Sequence, residues 1–338
     1  MVDGLVMSQA PRCSQAGGCG SGLRLDSDTA WDMVPAMDHQ QRSEVLQLLR
    51  LAQEVADHGL RAEGRPIVSG AVRRQRISYV VPGGARLTAW ILHPSTGNGP
   101  WPGLLALHPH SDAWALGGDE VAGQLGSREH HYGLALAAQG FCVMCPDLPC
   151  FGQQGPPPGM PGHRWEELQL SRQLVVGRSL LSESLDQLRS AVAALLDFEG
   201  TADLTVAALG YGMGARVAAW LAFVDRRIGA VWMHAGIGQQ QVLLGRGLLL
   251  PRHSLLPGLW NLGLDQADIV ADVLPRGLGI SYGRSDRITP AEAVAPVLAA
   301  VQARAAGLDQ VRLTVVEGDY DHRFPAEVLA AAGDWLLA

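Results

Sequence analysis

Short apolar segments alternate with helix-forming segments along most of this chain, from about residue 103 to the C-terminus. Apolar runs of strand length occur at 103–107, 141–145, 204–209, 230–233, 278–282 and 311–316. Helical patterns follow most of them, near 129–139, 179–198, 213–224, 290–305 and 325–337. Because buried parallel strands have continuous apolar sequences and are connected by helices, the pattern predicts an α/β fold with a mostly parallel sheet covered on both faces. Ligands of such sheets bind beyond the carboxyl ends of the strands.

The segments that precede this alternation predict additions to the same domain. Residues 1–35 mix Gly, Ser, Asp and Gln without periodicity, which is typical of a flexible tail. Residues 38–58 carry apolar side chains at helical spacing, so we expect a helix there that packs on the main domain. The segments 76–81 and 87–93 are joined by Pro-Gly-Gly and predict an antiparallel hairpin.

We expect residues 36–338 to form a single domain. The chain has 338 residues, which is enough to bury a sizeable core in one domain of this type. Two segments lack the strand pattern, 152–178 and 236–275, and we expect them to form a cap over the carboxyl edge of the sheet.

Composition argues against several classes of partner. The net charge is −7 and no Lys/Arg-rich run occurs, so a nucleic-acid partner is not expected. No secretory leader pattern and no apolar run of about 18 residues occur, so we expect a cytoplasmic protein without a membrane partner. Five cysteines, an odd number, suit a reducing compartment. Cys142 and Cys145 lie three apart in an apolar strand and point to opposite faces, so we interpret them as core residues.

A glycine-rich turn follows the apolar strand at 204–209. The sequence runs Gly210-Tyr-Gly-Met-Gly214 directly into a helix, which is the pattern of a Gly-x-Ser-x-Gly turn with glycine at its centre. The flanking glycines allow the strand and helix backbones to approach closely. The central residue of such a turn has a strained backbone conformation, and Gly212 adopts it without the penalty of a β-carbon.

Two further segments place titratable side chains after strands. Asp286 lies in Gly-Arg-Ser-Asp-Arg after the strand at 278–282, and His322 lies in Asp-Tyr-Asp-His-Arg-Phe after the strand at 311–316. Both side chains are therefore expected at the carboxyl edge of the sheet, near the glycine turn. The chain order of turn, acid and histidine is that of a hydrolase triad.

From about residue 75 to the C-terminus, the chain resembles the dienelactone-hydrolase and acetyl-xylan-esterase branch of the α/β-hydrolases. The resemblance rests on a His-x-His-type segment at 107–111, a Glu-x-x-Gly stretch at 120–123, a Pro-Asp-x-x-x-Phe-Gly stretch at 146–152 and a terminal Asp-His-Arg-Phe stretch at 321–324. It implies an α/β-hydrolase fold with cap insertions and a nucleophilic serine at position 212. This chain departs from the pattern there, because it has Gly212.

The retained groups predict acid–base chemistry. His322 oriented by Asp286 is a general base, a group that accelerates proton transfer by roughly 10²–10⁴-fold. The backbone N–H of Met213 and that of His110 or Ser111 are the expected oxyanion donors, because the intervening Pro109 has no N–H. A base facing an oxyanion hole suits removal of a proton next to a carbonyl or from a phenol.

Other side chains are candidates for substrate contact. They share a position in loops, cap segments or strand ends near the expected pocket, and they are Tyr211, His234, Trp114, Trp165 and His108. For His234 and the two tryptophans, a purely structural role is an open alternative. We expect Glu166 and Glu167 in the cap or at the surface, His130 on a solvated face, and neither a metal site nor a cofactor.

The sequence therefore predicts a non-hydrolytic enzyme that performs cyclisation or C–C bond formation on a small molecule. The candidate substrate is a flat aromatic or polycyclic compound of the polyketide type. One alternative is an esterase or lactone hydrolase that uses Cys145, Cys150 or a water activated by His322. Another is a non-catalytic ligand-binding protein. A glycine introduced in place of a native serine would produce the same pattern, and a homodimer is a further open expectation.

Overall fold

The computed structural model describes residues 37–54 and 58–338. The strands are β1 (Arg61–Ser69), β2 (Val72–Val80), β3 (Arg86–Pro94), β4 (Trp101–Leu107), β5 (Cys142–Pro146), β6 (Thr201–Tyr211), β7 (Ile228–His234), β8 (Gly277–Gly283) and β9 (Leu313–Gly318). The helices are α1 (His39–Leu49), α2 (Gly118–Val121), α3 (Tyr132–Gln139), α4 (Gly162–Val175), α5 (Leu180–Leu196), α6 (Met213–Val224), α7 (Gln240–Gly245), α8 (Gln266–Ala271), α9 (Ala291–Ala306) and α10 (Ala326–Leu337).

The strands described form one nine-stranded sheet in the order β1-β2-β3-β5-β4-β6-β7-β8-β9. The pairs among β1, β2, β3 and β5 are antiparallel, and every pair from β5 to β9 is parallel. The parallel part agrees with the alternating sequence pattern. It also brings the carboxyl ends of β4, β6, β7, β8 and β9 to one edge of the sheet, where the loops that follow them can meet.

Both faces of the sheet are buried, as the sequence pattern predicts. Alternate residues of β4 belong to different apolar clusters, Leu105 and Leu107 to one and Leu104 and Ala106 to the other. Helices α5, α6, α8 and α9 cover the first face, and α3 and α10 cover the second. The central strands β4, β5 and β7 are largely apolar because side chains on both faces meet a helix.

The antiparallel edge differs from the sequence prediction by one strand. The hairpin of β2 and β3 is present, but β1 was not predicted from the sequence. All nine residues of β1 are exposed. Because this edge strand buries neither face, its sequence has no alternation of apolar and polar residues that would indicate a strand. Helix α1 is shorter than predicted: it ends at Leu49, where Arg50 adopts a left-handed conformation with φ 46°.

The predicted cap segments contain helices as well as loops. Residues 152–178 include α4, and residues 236–275 include α7 and α8. The predicted tail at 1–35 lies outside the described residues. Cys142, Cys145 and Cys150 are free and buried, and the first two lie in the sheet core as expected. Within the described part of the chain, no helix combines the length and apolar character needed to cross a membrane.

Candidate active site

The turn between β6 and α6 is tightly constrained at three glycines. Gly212 has φ 57° and ψ −113°, a conformation that residues with a β-carbon rarely adopt. A β-carbon on Gly210 would lie 2.2 Å from the Gly214 carbonyl carbon, and one on Gly214 would lie 2.1 Å from the Leu107 oxygen. Strand and helix backbones therefore approach too closely for any larger residue at 210 or 214, and the turn projects residue 212 from the edge of the sheet.

Asp286 and His322 form the predicted pair. His322 Nδ1 lies 2.7 Å from Asp286 Oδ2. The other carboxylate oxygen accepts hydrogen bonds from the backbone N–H groups of Ile288 and Thr289, at 2.8 and 2.9 Å. The carboxylate is thus fixed in position and accepts a hydrogen bond from Nδ1–H, which leaves Nε2 as the basic nitrogen of the ring.

The basic nitrogen faces the apex of the glycine turn. An ideal β-carbon on Gly212 would lie 3.4 Å from His322 Nε2 and 3.8 Å from the Pro109 β-carbon. A side chain at 212 would therefore point at the imidazole, as the side chain of a triad nucleophile does. With glycine present, this volume belongs to the pocket.

Two hydrogen bonds hold the loop that carries the imidazole. The Tyr211 hydroxyl donates to the His322 carbonyl over 2.8 Å, and His234 Nε2 donates to the Arg323 carbonyl over 2.7 Å. His234 Nδ1 accepts from the Ser281 hydroxyl at 2.8 Å. Burial lowers the pKa of His234 to about 3, so the ring is neutral and acts as a fixed donor and acceptor.

A pocket with a volume of about 560 Å³ opens over this arrangement. Gly212, Met213 and His322 line the part nearest the sheet edge, and Tyr211 lines it beside them. The segment 248–251, three leucines and a proline, forms an apolar wall. The volume is that of a small-molecule site.

The predicted oxyanion donors also line this pocket. Met213 is the first residue of α6, so its N–H has no acceptor within the helix. His110 and Ser111 lie in the loop after β4 and face the same pocket. The backbone of Ser111 is left-handed, with φ 47°, and the N–H of Asp112 is held by His110 Nδ1 at 3.3 Å. The backbone N–H groups of Met213, His110 and Ser111 therefore stay the predicted oxyanion donors.

Four candidates for substrate contact lie away from the pocket lining. His108 is buried between the Pro109 carbonyl and the Leu148 N–H, and burial lowers its pKa to about 4. His234 is enclosed by the hydrogen bonds described above. The remaining two are Trp114 and Trp165, which pack against the core; Trp165 Nε1 donates to a backbone carbonyl at 2.9 Å. Of the five residues, the structure brings only Tyr211 to the pocket.

Glu166 lies in the cap, as expected, but its burial in the pocket lining was not predicted from the sequence. Its side chain is 0% exposed, whereas that of Glu167 is 50% exposed. Glu166 Oε2 lies 3.1 Å from His110 Nε2 and 3.0 Å from Arg252 Nη1, and Oε1 lies 3.5 Å from His253 Nδ1. Burial acts to raise the pKa of Glu166, but the interactions with His110 and His253 outweigh it and hold the pKa well below its usual range.

A second buried pair lies on the opposite side of the turn. His130 lines the pocket, and its Nδ1 lies 3.1 Å from Glu120 Oε2, so it does not occupy the solvated face predicted for it. Glu120 also accepts from the Ser127 N–H at 3.0 Å. Burial acts to raise the pKa of Glu120, and these two hydrogen bonds lower it overall. The partners of Glu166 come from distant parts of the chain, and those of Glu120 come from the loop that follows it, so no helix or strand periodicity indicates either set.

Comparison with known proteins identifies the fold. No protein-family profile matches the chain, and no curated protein matches its sequence. Among solved structures, a proposed acetyl xylan esterase from Bacteroides fragilis is similar over 87% of this chain and 85% of its own, with a TM-score of 0.68 and 13% identity. Acetyl xylan esterase 1 from Thermoanaerobacterium is similar over 88% and 92%, with a TM-score of 0.60 and 14% identity.

A glucuronoyl esterase from Solibacter usitatus is similar over 90% of this chain and 94% of its own, with a TM-score of 0.62 and 11% identity. The chain therefore has the α/β-hydrolase fold, as the sequence resemblance implies. Its structural neighbours are esterases of that fold. At identities of 11–14% the likeness is one of fold, and the chemistry has to be argued from the site.

Proposed function

We propose that this protein is an enzyme that performs acid–base chemistry without a covalent intermediate. His322, oriented by Asp286, removes a proton from a carbonyl-containing or phenolic substrate bound over Gly212. The observation that carries the proposal is the position of His322 Nε2, which lies 3.4 Å from the place where a side chain of residue 212 would begin and faces open pocket volume there.

Removal of the proton leaves a negative charge on the substrate, and this charge has to be stabilised. When His322 Nε2 takes the proton, the electron pair moves to the substrate oxygen and creates an enolate or phenolate. The N–H groups of Met213 and of His110 or Ser111 are placed to bind that oxygen. Asp286 stabilises the imidazolium that forms. The enolate carbon then attacks a carbonyl carbon of the same molecule, which forms a C–C bond and closes a ring, as in the tailoring of polyketide-like natural products. The imidazolium of His322 returns its proton to the alkoxide oxygen that this attack creates, and the base is regenerated.

Thiol nucleophiles do not offer an alternative to this chemistry. Cys145 and Cys150 lie near the site in the fold, but both are buried and neither lines the pocket. Burial raises the pKa of both thiols above the usual range, so the reactive thiolate is disfavoured.

Direct hydrolysis is the second candidate function. The volume above Gly212 can hold a water molecule within hydrogen-bond reach of His322 Nε2, in the place of a serine hydroxyl. His322 would take a proton from this water as the water oxygen attacks an ester carbonyl bound by the same N–H groups, and it would return the proton to the alcohol that leaves. The similarity of fold to acetyl xylan and glucuronoyl esterases supports an esterase more than it supports a cyclase.

Two probes of the same ring size distinguish the candidates. Exchange of the acidic C–H protons of 2-tetralone in D₂O, followed by proton NMR, measures proton abstraction; release of 2-naphthol from 2-naphthyl acetate measures hydrolysis. We expect exchange above the buffer rate, and we expect the His322→Ala variant to lose about 10²-fold or more of the enzymatic rate.

The control is His163→Ala, which removes an exposed histidine of α4 and is expected to leave both rates unchanged. Exchange at the buffer rate in the wild type, or exchange that persists in His322→Ala, contradicts the proposal. Hydrolysis that depends on His322 without any exchange supports the second candidate instead.

A further inference from the structure

Arg216 lies within the wall of the pocket, one helical turn after the glycine apex. Its backbone N–H donates to the Gly212 carbonyl over 3.4 Å, so its α-carbon is fixed in the first turn of α6. The residue is 2% exposed and lines the pocket together with Gly212 and Met213. A positive charge is thus built into the buried end of the site.

The guanidinium group of Arg216 has no partner in the part of the chain that the structure describes. None of its nitrogens forms a hydrogen bond or an ion pair there, and Nη1 is completely buried. Asp265 acts on it electrostatically, but the oxygens of this carboxylate already accept the backbone N–H groups of Gln240 and Gln241, at 2.8 and 3.0 Å. Burial lowers the pKa of Arg216 to about 10, so the group is still a cation at neutral pH.

Two other partly buried arginines have partners at both terminal nitrogens of the guanidinium group. Arg252, which lines the same pocket, pairs with Glu166 and Glu167. Arg276 donates to the carbonyls of Ala222 and Ile228, at 2.6 and 2.9 Å. A buried cation without such partners destabilises the folded protein. Its position in the pocket wall, beside the candidate catalytic pair, therefore favours a ligand with a negatively charged group.

We propose that Arg216 is an anion subsite that binds a carboxylate of the substrate. The planar guanidinium matches a carboxylate in a bidentate arrangement, and binding would supply the missing acceptors. Together with the proposed function, on which this step rests, the subsite implies that the substrate is a carbonyl compound that also carries a carboxylate. Its apolar part would contact Leu243 and the wall at 248–251.

A carboxylate fits the charges of the pocket better than a phosphate does. The lining also contains the carboxylates of Glu166 and Asp112, and only Arg216 among the lining arginines is without a carboxylate partner. A singly charged anion balances that one cation, whereas a dianion would add repulsion from both acids.

Equilibrium binding to matched probes tests the assignment. Isothermal titration calorimetry of the wild type with 3-phenylpropanoate and with the neutral 3-phenylpropanamide is expected to show about tenfold to hundredfold tighter binding of the acid. Arg216→Met is expected to abolish this preference and to unfold at the same or a higher temperature, because it removes an uncompensated buried charge. Arg216→Gln is the second variant, in case the first does not fold.

The control variant is Arg246→Met, which removes an arginine already paired with Glu292 at the surface and is expected to keep the preference. A wild-type preference below about twofold, or a preference that survives in the Arg216 variants, overturns the proposal. Tighter binding of phenyl phosphate than of 3-phenylpropanoate overturns the assignment to a carboxylate. Because binding is measured without turnover, absent proton exchange contradicts the proposed function alone, and absent discrimination contradicts the anion subsite alone.

Discussion

The hydroxyl of Tyr211 donates a hydrogen bond of 2.8 Å to the backbone carbonyl of His322. The residue that precedes the glycine apex therefore holds the loop that carries the base. Tyr211 and His322 are 111 positions apart in the chain, and they meet because β6 and β9 end at the same edge of the sheet. The position of the base thus depends on the turn beneath it.

We expect Tyr211→Phe to weaken the positioning of His322 while keeping the ring that lines the pocket. A hydrogen bond of this kind contributes about 0.5–1.5 kcal/mol. The maximal rate of 2-tetralone exchange should fall about threefold to tenfold with little change in the probe concentration needed for half-maximal rate. Steady-state exchange kinetics by NMR provide the measurement.

The matched control for this variant is Tyr320→Phe. The Tyr320 hydroxyl is buried and has no hydrogen-bond partner in the described part of the chain, so its removal is expected to change neither rate nor stability adversely. Equal effects of the two substitutions would show that the bond to His322 has no role in positioning.

Gly212→Ser is expected to create a serine esterase if the rest of the machinery is intact. The new β-carbon would lie 3.4 Å from His322 Nε2, so the hydroxyl can reach the base. Hydrolysis of 2-naphthyl acetate should exceed that of Gly212→Ala at least about 10²-fold, since a triad serine contributes about 10⁶-fold in an evolved hydrolase. Both variants should lose about 1–3 kcal/mol of stability, because position 212 has φ 57°.

Gly212→Ala separates backbone strain from chemistry, because it adds the β-carbon without the hydroxyl. A serine variant that folds but hydrolyses no faster than the alanine variant would favour a non-catalytic binding protein. Loss of the gained activity on adding His322→Ala would show that the new hydroxyl depends on the base.

Glu166→Gln is expected to destabilise the protein by about 3 kcal/mol. It leaves Arg252 and His110 without the buried carboxylate that both contact, and breaking a buried ion pair from one side has this cost. Glu167→Gln, in the next position but half exposed, should change stability by less than about 1 kcal/mol. Urea denaturation of the three proteins checks the difference, and equal midpoints for both variants would contradict it.

Stability is expected to fall as the pH drops below 6.5, in part because of His234. Burial lowers the pKa of this residue from 6.5 in the unfolded chain to about 3, so between these values the unfolded state binds the extra proton. The contribution is fully present above pH 6.5 and is lost as the pH falls toward 3. Between pH 6.5 and pH 5 it amounts to about 2 kcal/mol.

His234→Gln keeps a polar side chain that can bond to Ser281 and the Arg323 carbonyl but does not titrate. Its stability should depend less on pH in this range, although His108, whose pKa burial lowers to about 4, retains part of the effect. Unfolding curves of both proteins between pH 5 and 7.5 that have the same pH slope would contradict the assignment to His234.

The sequence patterns predicted most accurately the positions of residues at the ends of strands. Gly212, Asp286 and His322 each follow an apolar strand, and neighbouring parallel strands end at one edge, so local pattern fixed their meeting place. The same reasoning was wrong for His108 and His234 as pocket residues. It gives the strand end but not the direction of the side chain, and both rings turn into the interior to satisfy backbone and hydroxyl groups.

The sequence by itself determined the α/β architecture, the glycine turn and the pairing of Asp286 with His322, because strand and helix periodicity and tight-turn requirements act over short stretches of chain. Only the tertiary structure decided which groups complete the pocket. Glu166 contacts His110 and Arg252, which are 56 and 86 positions away, and Arg216 lies buried in the pocket wall without a hydrogen-bond or ion-pair partner among the described residues. Such contacts depend on the packing of distant segments, and no local periodicity records them.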